Sequence, residues 1–340
     1  MAASPGSIAR APTDGQLRLI TKVARMYHER GIRQTDIAES LHISQARVSR
    51  LLKRAAELGI VRTVVAVAPG VNTEIEEALE ETYGLAEAVV VDVEGTDEEI
   101  IAGLGSAGAT YLETTLTSGE RIGISSWSQT LLAVVDRMRP FRIPGAESVI
   151  QLMGGFGSSS VQTQGNRLLS EFARLVGATA TFVPAPALVG NKAMRESLLN
   201  DPAMESVARE WARLTIALAG IGSLPPSPLL RASGNAADLA DQDKLHAAGA
   251  VGDICQRFFD SAGTLVPSDL DDRVVGIDAD TLRNIPRRIG IAGGKSKHRA
   301  IHAAVIGGWV NVLLTDTGTA AALLQFQAAA TPDNDDHGGG

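Results

Sequence analysis

Arg47, Arg50 and Lys53 stand three residues apart in the run Ser44-Gln45-Ala46-Arg47-Val48-Ser49-Arg50-Leu51-Leu52-Lys53-Arg54. On a helix, positions three and four apart share a face, so Val48, Leu51 and Leu52 turn one way and the polar residues the other. The polar side carries the groups that read duplex DNA. Arg suits guanine, Gln suits adenine, and Ala packs on the thymine methyl. Lys53 and Arg54, one turn later, suit phosphates, which position a protein without reading sequence. Ser44 is a good N-cap, because its hydroxyl can accept from an otherwise unpaired amide of the first turn.

Just upstream, Ile37, Ala38 and Leu41 also recur at helical spacing. His42 falls in the turn between the two segments and tolerates positive φ better than most residues. Ala38 is small where the two helices would cross. Two short helices joined this way fit a helix-turn-helix, whose second helix enters the major groove. The candidate DNA-contacting residues are Gln34, Thr35, Ser44, Gln45, Ala46, Arg47, Ser49, Arg50, Lys53 and Arg54, and the expected partner is double-stranded operator DNA. The alternative is a surface helix with solvated charges. Charge distribution separates the two readings: residues 1–62 hold 11 Lys/Arg and 5 Asp/Glu, a formal +6, while the remainder is −14, together the whole-chain −8. A basic module on an acidic body is the electrostatic footprint of nucleic-acid binding.

A second chemistry lies in four loops. Ser126-Trp127-Ser128-Gln129-Thr130, Gly154-Gly155-Phe156-Gly157, Gly220-Ile221-Gly222 and Gly293-Gly294-Lys295-Ser296-Lys297 each follow an apolar run. Hydroxyl residues and glycines leading into a helix can bind an anion through free amides and the helix dipole. Each loop alone reads as a tight turn; four at strand ends of one sheet predict a pocket for a small phosphorylated or polyhydroxylated molecule.

The elements that must position these groups are readable in outline. A supporting helix is expected over 17–29, then a wing or linker strand over 62–67, with the domain boundary at 62–72. Beyond it, strands are expected at 88–93, 121–125, 148–153, 179–183, 214–221, 274–277, 288–292 and 310–315. Helices are expected at 73–83, 97–117, 128–138, 165–176, 204–212, 244–249, 297–306 and 317–326. Near-continuous apolar strands alternating with helices give an α/β fold with a Rossmann-like, largely parallel sheet covered on both faces. Ligands of such sheets bind outside the carboxyl ends of the strands. The expected domains are 13–68 for DNA binding and 72–328 for the effector, with disordered tails at 1–12 and 329–340.

At 340 residues the chain accommodates two cores. The single cysteine, Cys255, cannot form an internal disulfide, which points to a reducing compartment. No apolar run spans a bilayer, and the first residues lack a signal peptide's apolar core. A soluble, cytoplasmic protein without membrane association is expected.

The residues resemble the SorC family of sugar-responsive bacterial transcription regulators from about 17 to 326. The similarity is carried by 34–61, 123–131, 151–155, 184–189, 220–222, 249–254 with Phe258-Phe259-Asp260, 273–277, and 292–301 running on to 314–316. The resemblance implies an effector domain like glucosamine-6-phosphate deaminase and ribose-5-phosphate isomerase that has lost catalysis and kept a sugar-phosphate pocket. It also implies dimers and tetramers. By position, Ser126, Trp127, Ser128, Gln129 and Thr130 become the first phosphate loop and Lys297 the basic contact after the double glycine. Asp253 matches an acidic residue that accepts from sugar hydroxyls, and Gln151 is placed to do the same. Ser128 stands where the family usually has Gly, which leaves phosphate and unphosphorylated polyol both open. The candidate effector set is Ser126, Trp127, Ser128, Gln129, Thr130, Gln151, Gly154, Gly155, Gly220, Gly222, Asp253 and Lys297.

Other readings of these groups stand beside that one. Asp253 can instead cap a helix through Phe258, and Trp127 can cover the pocket mouth rather than stack on ligand. A lysine at a helix N-terminus opposes the dipole, and a bound anion at Lys297 would relieve the conflict. Lys295 reads as solvated. His298 and His302, at i and i+4, find no acidic or Cys partner by spacing, so surface positions are expected, with no metal and no cofactor. The leading function is a DNA-binding regulator of carbohydrate or polyol metabolism controlled by a sugar, polyol or sugar phosphate. The alternative is a sugar-phosphate isomerase or deaminase with a nucleic-acid-binding extension, for which Asp253 and Asp278 are available without a surrounding catalytic cluster. A scaffold protein would leave the four Gly-rich strand ends without purpose.

Overall fold

The structure, a computed structural model, describes residues 13–61 and 72–330. The chain divides into two compact units between Ala66 and Val67. The strand or wing expected at 62–67 and the tails 1–12 and 331–340 lie outside the described residues.

The first unit holds helices α1 (Asp14–His28), α2 (Gln34–Ser40) and α3 (Gln45–Glu57). α1 starts three residues before expectation because Thr13 and Gln16 form a capping box, Thr13 N donating to Gln16 Oε1 at 3.0 Å. Val23, Ile37, Ala38 and Val48 make one buried cluster, and Ile20, Ala24 and Ala55 a second. Each large side chain so buried contributes roughly 1.5–3 kcal/mol. His42 turns the chain between α2 and α3 at φ 54.

The second unit opens with α4 (Thr73–Tyr83), β1 (Glu87–Val91), α5 (Asp97–Thr115), β2 (Arg121–Ile124), α6 (Gln129–Val135) and β3 (Ser148–Gln151). It continues through α7 (Ser159–Val176), β4 (Thr179–Thr181), α8 (Lys192–Leu199), α9 (Pro202–Trp211), β5 (Ile216–Ala219) and β6 (Gly222–Ser223). Then come α10 (Pro228–Ser233), α11 (Leu239–Ala247), β7 (Ala250–Ile254), β8 (Arg257–Asp260) and α12 (Ala279–Arg283). β9 (Arg287–Ile291), α13 (His298–Ile306), β10 (Val312–Asp316) and α14 (Thr317–Ala330) complete it.

Seven strands form one parallel sheet in the order β1-β10-β9-β5-β2-β3-β4. β5 and β10 are buried along their whole length because both faces are covered. Alternation sorts their side chains: Ile216 and Leu218 join the cluster under α5, α6 and α7, while Ala217 and Ala219 join the one under α9 and α13. All carboxyl ends therefore lie along one edge, with β9, β5 and β2 adjacent. The other three strands, β6-β7-β8, form a small antiparallel sheet, with Gly222 opposite Asp253.

Several expectations change. Residues 274–277 are not a strand. Val275 N donates to Ala187 O and Ile277 N to Leu152 O, while the Gly276 and Ile277 carbonyls accept from Arg257, so its bonds go to separate segments and no ladder forms. The helix expected at 244–249 begins earlier, at Leu239, where the Asp238 carboxylate accepts from Asp241 N at 2.8 Å. The last helix runs through Ala330, so residues 329 and 330 are helical rather than tail. The β7–β8 hairpin and helices α8, α10 and α12 are elements the periodicity does not announce.

Candidate functional site

On α3 the Ser44 hydroxyl accepts from Arg47 N at 3.3 Å, satisfying one first-turn amide. Behind that cap Gln45, Ala46, Arg47, Ser49, Arg50 and Lys53 are exposed, while Val48 on the opposite face is fully buried. Arg50 Nε donates to Ala46 O at 3.2 Å, leaving its guanidinium on the outer face. Arg54 is half-buried and paired with Glu57 at 2.8 Å, so its charge is largely compensated. At the start of α2, Thr35 is exposed and Gln34 half-buried. The outer half of α3 thus offers amide, hydroxyl, methyl and guanidinium groups to a groove-sized partner.

In the second unit the loops following β2, β5 and β9 converge, and the β7–β8 hairpin closes on them. They enclose a cleft of ≈ 100 Å³ lined by Ser125, Trp127, Ser128, Gln129, Thr130, Gly220, Gly222, Asp253, Cys255, Gln256 and Lys297 among others. It opens beside a larger depression of ≈ 710 Å³ that shares Gln129, Gly222 and Lys297.

The β2 loop supplies one wall. Ser128 caps α6, its hydroxyl accepting from Leu131 N at 3.2 Å. Its side chain lies over Gly220, where an added Cβ would come within 2.7 Å of the hydroxyl oxygen. Trp127 is buried with its ring edge against Gly165, where a Cβ would sit 2.8 Å from the ring. Trp127 is therefore a packed wall of the cleft.

The hairpin supplies the acid. Asp253 lies in β7 with its carboxylate in the space that a Gly222 Cβ would fill, 2.0 Å from Oδ1. Its Oδ2 accepts from Gln256 N at 2.8 Å. Burial pushes this carboxyl up to about 6, against the pull of the Gln256 amide and Lys297. Cys255 and Gln256 turn the hairpin at φ 53 and φ 59, conformations costing on the order of 1 kcal/mol each for residues with a side chain. Burial, with Asp253 nearby, pushes the Cys255 thiol up to about 12, so it is a protonated wall group and no nucleophile.

The base comes from the β9 loop. Gly294 N donates to Asp316 Oδ2 at 2.8 Å and to Thr319 Oγ1 at 3.1 Å. A Cβ on Gly293 would sit 2.2 Å from that same Oδ2. The double glycine is thus moulded on a buried carboxylate, and the chain leaves it with Lys297 half-buried in the cleft wall. Burial lowers the Lys297 pKa while Asp253 and Asp97 oppose the shift. Lys295 stays exposed.

Not every expected residue reaches the cleft. The Ser126 hydroxyl is turned inward, donating to Met153 O at 3.1 Å. Gln151 is fully buried, its Oε1 accepting from Val183 N at 2.9 Å and its carbonyl from Trp211 Nε1 at 2.8 Å. Its amide packs on Gly155, and Gly154 lies against Pro186, where a Cβ would meet the carbonyl at 2.2 Å. Gln151, Gly154, Gly155 and Ser126 support the cleft from below and do not line it. Asp253, in a strand, caps no helix. His302 is not a surface residue: its ring sits between Tyr83, at 5.8 Å, and Phe326, at 5.1 Å. Among the described residues no cluster of His, Cys, Asp and Glu could hold a metal. Asp278 caps α12, accepting from Thr281 N at 2.8 Å. Ser125, Cys255 and Gln256 are cleft residues that sequence reasoning missed. Ser125 is the immediate neighbour of the expected loop, whereas the turn at 255–256 has no Gly or Asn to mark it.

Residues 69–325 match the protein family described as "Putative sugar-binding domain". The chain is 34% identical over 308 residues to the deoxyribonucleoside regulator of Bacillus subtilis (strain 168), covering 90% of this chain and 97% of that protein. It is 32% identical over 315 residues to the sorbitol operon regulator of Klebsiella pneumoniae, covering 91% and 98% respectively. The crystal structure of that full-length regulator, SorC, matches with a TM-score of 0.68 at 30% identity, over 92% of this chain and 100% of that one. No helix among the described residues is long and apolar enough to cross a membrane.

Proposed function

This chain belongs to the SorC family of transcriptional regulators with a sugar-binding domain, and from that premise we propose how its two units divide the work. The first unit reads operator DNA through α3; the second binds a small polyhydroxylated effector in the cleft and thereby alters operator affinity. The observation that carries this reading is the exposed row Gln45, Ala46, Arg47, Ser49 and Arg50 on a capped helix whose other face is buried. Gln45, Arg47, Ser49 and Arg50 meet base edges and Ala46 a thymine methyl, while Gln34, Thr35, Ser44, Lys53 and, more weakly, Arg54 contact backbone phosphates.

The cleft is read as a sensor. Asp253 and Lys297 form an opposed pair within it, Ser128, Gln129 and Thr130 supply hydrogen bonds, and Gly220 and Gly222 make room for the Ser128 and Asp253 side chains. Among the described residues Asp253 and Lys297 are the charged lining groups of the cleft, and its thiol, Cys255, is held protonated. The match to transcriptional regulators over 97–98% of their length favours a sensor over the isomerase or deaminase alternative. The protein works in the cytoplasm as a dimer or tetramer, with operator half-sites one helical turn, ~34 Å, or a multiple apart.

Selection of binding sequences from a random duplex pool by the full chain tests the DNA reading. Enrichment of a two-fold symmetric site is expected. A pool that stays unenriched at moderate salt refutes it. Incubation with ribose 5-phosphate or glucosamine 6-phosphate should yield no isomer and no ammonia; measurable turnover would restore the enzyme reading.

A further inference from the structure

We infer that the cleft selects an uncharged polyhydroxylated molecule, a free sugar or polyol, over its phosphate monoester, with Asp253 and Gln256 accepting from ligand hydroxyls. This rests on the reading of the cleft as the effector site, and decides a question that reading leaves open.

The charges around the cleft are balanced. Its charged lining groups are Asp253 and Lys297, of opposite sign, and no arginine joins them. The adjoining depression adds no surplus cation: Asp97, Glu98 and Asp136 stand against Arg137, Arg231 and Lys297. A phosphate monoester brings about −1.5 to −2 charges at neutral pH and is ordinarily met by a surplus of cationic side chains and free amides. Here it would meet one lysine, already facing a carboxylate that would repel it.

Hydrogen-bond polarity points the same way. Gln256 is buried, and its Nε2 donates to Asn235 O at 2.6 Å while its Oε1 has no partner among the described residues. A buried acceptor left unpaired is destabilising, and a ligand donor would relieve that. Asp253 is a second acceptor in the same wall. A free sugar or polyol keeps every hydroxyl as a donor to such groups, whereas its ester has exchanged one of them for a phosphate that offers only acceptor oxygens. At α6 the Ser128 hydroxyl already satisfies the Leu131 amide, removing one donor an anion would use.

Matched pairs decide the matter by calorimetry and thermal shift on the full chain: D-ribose, 2-deoxy-D-ribose and D-sorbitol, each against its terminal phosphate monoester, with inorganic phosphate alongside. At least one free compound is expected to bind tenfold or more tightly than its ester. Asp253→Asn should weaken that compound at least tenfold, and Gln256→Leu several-fold. The wild-type comparison does not depend on either variant folding. Tighter binding of an ester than of its parent alcohol overturns the inference while leaving the effector cleft in place. Failure of every free compound and every ester to bind overturns both.

Discussion

The carboxylate of Asp316 and the amide of Gly294 meet at 2.8 Å, although 22 residues separate them in the chain. The same carboxylate accepts from Thr319 N at 2.9 Å and Thr319 Oγ1 at 2.6 Å. One buried acidic group at the end of β10 therefore sets the path of the β9 loop and, three residues on, the position of Lys297.

Asp316→Ala strips that acceptor from three buried donors. We expect a loss of about 3 kcal/mol, or roughly 6–10 °C in Tm, since unsatisfied buried donors cost about 1–3 kcal/mol apiece. Gly293→Ala should behave similarly, because its methyl would collide with the carboxylate. Both would also weaken effector binding. Thermal unfolding within 1–2 °C of wild type would show that the loop does not depend on this contact.

Arg50→Ala should weaken operator binding by about 1–3 kcal/mol and relax base preference at one position of each half-site. Effector affinity, housed in the other unit, should not change. Lys53→Ala should weaken binding evenly across sequences and reduce the salt slope of log K by about 1. Anisotropy titrations at several salt concentrations distinguish the two behaviours; identical curves for Arg50→Ala and wild type would remove that residue from the reading face.

Lys297→Ala should raise the effector concentration needed to change operator occupancy by about tenfold, the loss of one charge-assisted hydrogen bond. A dose–response curve that overlays the wild type would take Lys297 out of the site.

Asp253 makes stability depend on pH in an unusual direction. Its folded pKa, about 6, lies above the ordinary carboxylate value of 3.8. Between those values the folded state holds more protons than the unfolded one, so stability falls as pH rises from about 4 to about 6 and stays lower above it. Asp253→Asn removes that term. The variant should therefore be more stable than wild type at pH 7.5, by on the order of 1–3 kcal/mol, and unfold at a higher temperature. The gain should vanish near pH 4, and effector binding should be weaker throughout. A variant less stable than wild type at pH 7.5 would contradict the placement of a costly buried charge in the cleft.

Local chemistry made much of this protein legible in its sequence. The Ser44 cap, the outward Arg47 and Arg50 and the inward Val48 follow from relations between residues three or four apart. Burial on both sheet faces likewise leaves a signature inside the central strands, and seven of the eight expected strands are present. The exception, 274–277, has a strand's apolar residues but sends its backbone bonds to three different places. What the tertiary structure alone decided is which loops meet. The adjacency of β9, β5 and β2 is a matter of long-range pairing, and it brings Lys297, Gly220 and Ser128 to one cleft while leaving Gln151 and Gly154 in the packing beneath. Asp253 and Gln256 reach that cleft through a hairpin whose left-handed turn residues, Cys255 and Gln256, carry no turn preference of their own. Periodicity and capping are written within a few residues of chain; strand order, and a turn held against its preference, depend on contacts between segments far apart in it.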